Sequence, residues 1–364
     1  MKTAAIIGCG KRQEGKEGWA AGHAHANNYR IAFPDIELIG VDISEENLKA
    51  FGETFDVPAE RLFTSTEAMY ASIVPDAVSI TTWPPLHCKQ TIEAAKAGVK
   101  AITCEKPMAM DIGDIDMMMD ACQEHGSRLS IAHQRCYEWD FVKMKELLDA
   151  GAIGDRLVFH GRVGDGWDIL SWSVHWFDMA RFLFGRQPTA VLAGMDHRNT
   201  RRYGHAVEDN SVLFVEFGEH RQASFITGPA EEPGPMVSVT GDRGMIAPVK
   251  GGVAVYNQDG YTLHEPTEEF VRGHAASFVD LWKSVEDPSY TSEADAAYTA
   301  SATRLAYAAH ESARTMKRIE LPVRNLDYAP LEVAEHAPTL LPKLGKVVLV
   351  ADNHHADPET GEGG

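Results

Sequence analysis

Residues 76–110 read DAVSITTWPPLHCKQTIEAAKAGVKAITCEKPMAM, with the rhythm of strand, helix and strand. Ala77 to Thr81 is a short run bounded by Pro75-Asp76 and Pro84-Pro85, as expected of a buried strand. Leu86 to Ala97 is polar and alanine-rich and closes on Gly98, which predicts a helix. Val99 to Cys104 is apolar again and ends on Glu105-Lys106-Pro107. Together these pieces make one βαβ unit, the building block of a parallel sheet covered by helices. Ligands of such open sheets collect beyond the carboxyl ends of the strands, and Lys106 lies just past one. Pro107 fixes its own φ and biases Lys106 away from helical geometry, so the ammonium is carried on a stiff turn. Taken alone, the tripeptide favours a plain surface lysine at a strand exit; its neighbours shift the reading toward chemistry.

Working outward to the N-terminus, Thr3 to Ile7 repeats the buried-strand pattern and runs into Gly8-Cys9-Gly10. Glycines there permit a tight turn and close approach of a pyrophosphate to the N–H groups of a helix N-terminus. A third glycine is expected three residues on, but Lys11, Arg12 and Gln13 follow, and Gly15, Gly18 and Gly22 compete for the role. A second strand, Ile36 to Val41, ends at Asp42, where an acid commonly accepts hydrogen bonds from an adenosine ribose. Asp42 lies 34 residues beyond Gly8, against an ordinary spacing of roughly 20 or slightly more. An insertion at Lys11–Ala21 accounts for the excess if Gly22 is the third glycine and opens the first helix. Rich in Gly and charge, the insertion is either a lid over the pyrophosphate or a solvated loop. His23 and His25 form an H-x-H pair without a Cys, Asp or Glu partner at ligand spacing, and no metal is expected. Asp42 repels a 2′-phosphate, and the following Ile43 and Ser44 offer no arginine to accept one, so NAD is expected in preference to NADP.

At 364 residues, with 44% hydrophobic and 24% charged, the composition is that of a soluble globular protein of about two domains. A formal charge of −19 argues against nucleic acid or an anionic membrane as partner, since both need an excess of Lys and Arg. The five cysteines, Cys9, Cys88, Cys104, Cys122 and Cys136, form no CxxC pair, and their odd number argues against a disulfide framework. No apolar run approaches the roughly 18 residues of a membrane span and no signal peptide is visible, so a cytoplasmic location is expected.

The Gly8-Cys9-Gly10 turn, Asp42, the TTWPPLH run ending at His87, the AAKAGVKAITCEKP run and a later histidine helix together resemble the glucose-fructose oxidoreductase and inositol dehydrogenase (Gfo/Idh/MocA) family. The resemblance runs from Thr3 to about Pro322, and the EKP motif carries most of its specificity. It implies an α/β protein with a Rossmann dinucleotide-binding domain over 1–132. A substrate-binding and oligomerisation domain with an open, mostly antiparallel sheet follows over 133–330, and then a C-terminal extension over 331–364, whose polar end reads as disordered. By the same resemblance Glu105 and Lys106 lie beside the nicotinamide ribose and the reacting carbon. Thr82 and Trp83 stand where the family usually has Thr-Pro, and Trp83 either walls the site or fills the sheet edge. Arg135, after a strand at Arg128 to Ala132, is a candidate substrate contact or a plain capping residue.

Gly164 to Gly185 is the second chemical stretch. Val174, Phe177, Ala180, Phe182 and Leu183 approximate a helical face, and His175 and Asp178, three apart, can project together. The family carries D-x-G-x-H-x-x-D here, with the histidine relaying a proton from the substrate hydroxyl. His175 and Asp178 match, but Ser171 and Ser173 replace the first acid and the glycine, and a serine carries no charge at neutral pH. Asp168 stands three residues before Ser171 as a substitute acid, and Asp178 has Arg181 as an alternative, structural partner. From Ala190 to Val255 the pattern turns to short strands expected to form a sheet of consecutive strands. Arg198 to Asp209 is a polar loop over a polyol or a solvated surface, and Glu293 to Lys317 reads as a long helix. The expected activity is hydride transfer between NAD and a secondary alcohol of a sugar, sugar acid or cyclitol, in a homodimer or homotetramer. A glycoside-cleaving enzyme using transient oxidation, and an NAD-binding sensor without turnover, are the alternatives.

Overall fold

The computed structural model describes residues 1–10, 21–164, 167–196, 201–202, 205–228, 236–266 and 272–323. Most of the Lys11–Ala21 insertion, part of the Arg198–Asp209 loop and the extension from 331 onward lie outside them. The chain divides into two compact units, Met1–Tyr137 with Val271–Ala300, and Glu138–Phe270 with Ser301–Gly364. The first unit thus runs five residues past the boundary expected at 132 and takes back a later segment of the chain. Residue pattern alone does not show which core a distant helix joins.

In the first unit, strands β1 (Thr3–Ile7), β2 (Glu37–Val41), β3 (Leu62–Phe63), β4 (Ala77–Ile80), β5 (Ala101–Cys104) and β6 (Arg128–Ile131) form one sheet in the order β3-β2-β1-β4-β5-β6. Every pairing is parallel. Helices α1 (Ala21–Ala32), α2 (Glu45–Phe55), α3 (Thr66–Ser72), α4 (His87–Ala97) and α5 (Ile112–His125) connect the strands, and α8 (Gly273–Glu286) returns from later in the chain. Local signals set the helix ends. Ser44 and Ser65 cap α2 and α3 through their side chains, Asp111 caps α5, and Gly98 and Gly126 close α4 and α5 in the left-handed region.

Strand period two sends alternate residues to opposite faces. Ala4 and Ile6 of β1 join a layer with Tyr29, Phe51, Phe55, Phe278 and Leu281, contributed by α1, α2 and α8. Ala5 and Ile7 join the other with Ala94, Ala95, Ile115 and Met118 of α4 and α5. Both faces being covered, the strands are mostly apolar, with Ser79, Thr103 and Ser130 the buried polar exceptions among them, which is why they read as nearly continuous runs. The strand order reverses between β1 and β4, so a crevice opens at their carboxyl ends.

The second unit carries β7 (Leu157–Val163), β8 (Ala190–Asp196), the short β9 (Arg201–Arg202) and β10 (His205–Ala206), β11 (Asn210–Glu216), β12 (Arg221–Thr227), β13 (Met236–Gly241), β14 (Gly244–Val249), β15 (Gly252–Asn257), β16 (Gly260–His264) and β17 (Ile319–Glu320). Nine of them form a sheet in the order β16-β15-β14-β13-β7-β12-β11-β8-β17. Its pairings are antiparallel except β7 with β12. The expectation of consecutive strands is therefore corrected: β7, from before the histidine helix, lies between β13 and β12. The alternation of Leu157–Val163 shows which side chains are buried but not the pairing partner. One face is packed, with Phe159 and Phe225 at 5.6 Å and Phe177 against Phe225 at 4.7 Å. Helices α6 (Trp139–Asp149), α7 (Val174–Phe184) and α9 (Ala296–Thr315) complete the list; α7 is buried nearly all round, as its apolar sequence requires.

Candidate active site

In the first unit the chemistry-bearing residues gather at the carboxyl ends of β1, β2, β4 and β5. β1 runs into Gly8 at φ 99°, and a Cβ there would meet the Thr81 backbone at 2.9 Å, so only glycine makes this turn beside β4. Gly22 stands at the start of α1, and a Cβ on it would come within 2.3 Å of the Gly8 carbonyl oxygen. That contact is the close helix-to-turn packing demanded of a third glycine. Neither Gly15 nor Gly18 is among the described residues.

Asp42 ends β2 and is held there: its Oδ1 accepts from the Ser44 N–H at 2.9 Å and the Asn47 amide at 3.1 Å. Ile43 beside it is 95% exposed, an apolar side chain left in the open at a strand end. Burial, reinforced by the Asp42 charge, pushes the Cys9 thiol far up, so this cysteine is inert.

The turn after β4 is tied to the turn after β5. His87, fully buried, faces the Pro107 carbonyl with Nδ1 at 2.9 Å and the Thr82 carbonyl with Nε2 at 3.1 Å. Burial holds its pKa below the ordinary value against the pull of these carbonyls, so the neutral ring donates to one of them at a time. Both nitrogens are spent on the scaffold, which makes His87 a clamp between the two turns. Thr82 Oγ1 donates to Gln90 Oε1 at 2.5 Å, and Trp83 is 49% exposed, so its ring does not fill the sheet edge.

Glu105 follows β5, buried, and Lys106 follows it, half-buried, joined to Pro107 by a cis peptide bond. Burial raises the Glu105 pKa, but the hydrogen bond and charge of His25, with the charges of Lys106 and His274, bring it down to about 2. The carboxylate is ionised at neutral pH. Arg135 sits in a 3-10 turn after β6, still within the first unit.

In the second unit the histidine stretch begins with a π-helical turn, Ile169–Ser173. Sequence periodicity predicts only an α-helix here; a π turn shows no signature of its own, yet such turns are frequent at functional sites. Asp168, fully buried, caps this turn, its Oδ1 accepting from the Ser171 N–H at 2.8 Å. Glu208 Oε1 takes the Ile169 N–H at 2.5 Å, and Ser173 Oγ pairs with Thr227 Oγ1 at 2.7 Å. His175 is buried with its ring edge-on to Trp172, centroids 5.4 Å apart. Asp178 accepts from Arg181 Nε at 2.7 Å, both buried, so the structural alternative for this acid is present.

Three features escaped the sequence reading. His23 lies on Phe51 and Phe55, while His25 bonds Ser79 and Glu105. His274, from α8, joins His25 and Glu105, and their potential ligand atoms lie within 4.8 Å of one another. Glu208 and His310 meet at 3.4 Å, both buried. Each involves partners too far apart in sequence for spacing to reveal.

A parallel sheet in Rossmann order with a glycine turn and an acid after its second strand defines a dinucleotide-binding protein, here joined to a mostly antiparallel unit. Residues 2–133 match the family described as oxidoreductase family, NAD-binding Rossmann fold, residues 141–247 match the GFO/IDH/MocA C-terminal domain, and the chain belongs to this family. It is 30% identical over 225 residues to a 2,7-anhydro-N-acetylneuraminate hydratase of Mediterraneibacter gnavus, covering 56% of this chain and 58% of that one. To a D-apiose dehydrogenase of Paraburkholderia graminis it is 29% identical over 282 residues, 70% of each chain. Its matches span from 44% to 70% of the length of curated relatives such as these. An aldose-aldose oxidoreductase from Caulobacter crescentus, solved with glycerol, superposes with a TM-score of 0.74 at 22% identity over 88% of this chain and 99% of that one. That likeness concerns the fold. Among the described residues no helix is long and apolar enough to cross a membrane.

Proposed function

We propose that the protein is an NAD-dependent oxidoreductase that moves a hydride between the nicotinamide and a secondary alcohol of a sugar, sugar acid or cyclitol. The observation that carries this reading is Glu105-Lys106-Pro107 at the exit of β5, next but one in the sheet to the Gly8-Cys9-Gly10 turn of β1. A cation at that place has a use in alcohol oxidation, and the name of the Paraburkholderia relative supports it.

NAD, when bound, supplies the hydride acceptor. Gly8 makes the turn, Gly10 leaves the backbone bare for its pyrophosphate, Gly22 lets α1 start close behind them, and the oxygen of Asp42 not engaged by Ser44 and Asn47 is assigned to the ribose. Asp42, with Ile43 and Ser44 after it, favours NAD over NADP. Thr82, Trp83 and Glu105 line the nicotinamide end, and His87 contributes through the turns it clamps. Lys106 stabilises the alkoxide that develops as the hydride leaves, and His175 accepts the hydroxyl proton. Arg135, Asp168, Ser171 and Asp178 belong to the substrate side. With the hydrogen bonds described above, Asp168 and Asp178 act there as supports of the turn and helix that carry His175.

The test is absorbance at 340 nm with NAD and a panel of sugars, sugar acids and inositols, on wild type and Lys106→Ala. The expected outcome is a rise with at least one substrate, reduced by ~10²–10⁴-fold in kcat/KM in the variant. No rise with any substrate, in protein shown by calorimetry to bind NAD, combined with cleavage of an aryl glycoside, would replace this reading by transient oxidation without net NADH.

A further inference from the structure

His25, Glu105 and His274 form a buried polar cluster beneath the Lys106 turn, inside the first unit. Glu105 Oε1 faces His25 Nε2 at 3.0 Å, and Glu105 Oε2 accepts the Lys106 backbone N–H at 3.1 Å. One carboxylate therefore grips the main chain of Lys106 with one oxygen and an α1 side chain with the other. An ionised carboxylate only accepts, so His25 must carry its proton on Nε2. Its second nitrogen, Nδ1, meets Ser79 Oγ on β4 at 2.9 Å, and that hydroxyl continues to Tyr29 of α1 at 3.3 Å. The ring is pinned at both ends with no solvent exposure. Tyr29 is in turn stacked on Phe278 of α8 at 4.0 Å, so the chain of contacts is anchored in the apolar layer.

His274 completes the cluster from α8. Its ring lies 4.4 Å from that of His25, it is 7% exposed, and among the described residues its Nδ1 has no hydrogen-bond partner. The three donors suit a divalent cation in type. His25 and Glu105, however, already turn their facing atoms to each other, so an ion would have to displace the proton between them. A proton-bridged pair with a neutral ring beside it accounts for every distance.

We propose that His25 is a positioning residue: by donating Nε2–H to Glu105 it holds that carboxylate ionised and oriented, and through it sets the Lys106 turn for the reaction. Only the catalytic consequence rests on the oxidoreductase reading; the effect on Lys106 stands by itself. Burying a carboxylate is unfavourable unless it is paired and hydrogen-bonded, so removing the donor leaves Glu105 to take up a proton or to swing away, and Lys106 moves with it.

Two substitutions separate the contacts. Gln at position 25 places an N–H near the Nε2 position and spares the bond to Glu105. Asn reaches only as far as Nδ1, sparing Ser79. For each variant kcat, KM and their pH profiles are measured at 340 nm, and NAD affinity by calorimetry. Independently of turnover, lysines reductively methylated with ¹³C-formaldehyde are observed by NMR, the Lys106 signal being assigned by its loss in Lys106→Arg. The expectation is that His25→Asn lowers kcat by about 30-fold or more, changes NAD affinity by less than about threefold, and shifts the Lys106 signal and its pH dependence. His25→Gln stays within about fivefold of wild type with the Lys106 signal in place. A Lys106 signal that shifts in His25→Asn relative to a wild type without activity would sink the oxidoreductase reading and keep this one. Equal Lys106 signals in wild type and His25→Asn, equal effects of both variants, or stoichiometric zinc binding abolished by His274→Ala would overturn it.

Discussion

Glu105 and His274 answer burial in opposite ways, although both keep to the side of their ordinary pKa that acid threatens. Glu105 is held at about 2, so its contribution to stability is present above pH 4.5 and is lost as pH falls toward 2. His274 is driven from 6.5 down to about 3, first by burial, then by the charge of His25, with Lys106 adding and Glu105 opposing. Between those values the unfolded chain holds a proton that the folded chain refuses, so stability falls on acidification through that window, by up to ~1.4 kcal/mol per pH unit. Urea midpoints of wild type and His274→Gln from pH 7.5 to 4.5 check this: the variant is expected to lose the part of the slope below pH 6.5, and parallel curves would refute it. At this scale the sequence marks Glu105 and Lys106, which sit in a recognisable tripeptide. It leaves His274 anonymous, because its partners lie in α1 and after β5, and its chemistry exists only once they meet.

At the scale of an element, α1 carries a steric contact that bears on a register spacing leaves open. Three glycines compete in sequence, and the missing side chain of Gly22, the one of them among the described residues, lets α1 start against the Gly8 carbonyl at a distance no Cβ tolerates. Gly22→Ala is expected to destabilise the protein by about 1–3 kcal/mol through overpacking and to weaken NAD binding at least tenfold. Thermal unfolding with and without NAD measures both, and an unchanged Tm with intact affinity would return the role to Gly15 or Gly18. α7 illustrates the converse. Its apolar face and the His175–Asp178 spacing are legible in the sequence, whereas the π turn before it and the commitment of Asp168 to capping are not. Capping depends on which backbone N–H groups a turn leaves orphaned, and the residue pattern does not show that the turn is π-helical.

Across the whole second unit, the face of the sheet opposite the packed one is unusually apolar. Leu192, Val212, Phe214 and Met236 are each about half exposed, Phe214 reaching 61%. Register places Leu192 opposite Phe214 on β8 and β11, while Val212, Ile226, Arg162 and Met236 follow one another across β11, β12, β7 and β13. These apolar side chains are interrupted by Arg162 and by the hydrogen-bonded Ser224–His160–Thr240 group, a mixed surface of the kind that suits an interface. We infer that two copies of the chain associate through it. Light scattering of Phe214→Glu is expected to show half the wild-type mass with an unchanged circular dichroism spectrum, and an unaltered mass would exclude this face from the interface.

The sequence by itself determined the parallel sheet of the first unit, the glycine turn, Asp42, the Glu105-Lys106-Pro107 exit and the histidine helix. Each is written in contiguous residues whose period or turn chemistry is a local property of the chain. Only the tertiary structure decided that α8 belongs to the first unit, that β7 sits mid-sheet beside β12, that His87 spends both nitrogens on two turns, and that His25 and His274 converge on Glu105. Those outcomes depend on which distant surfaces exclude water together. Burial is set by the summed packing of the whole unit, and no window of sequence contains it.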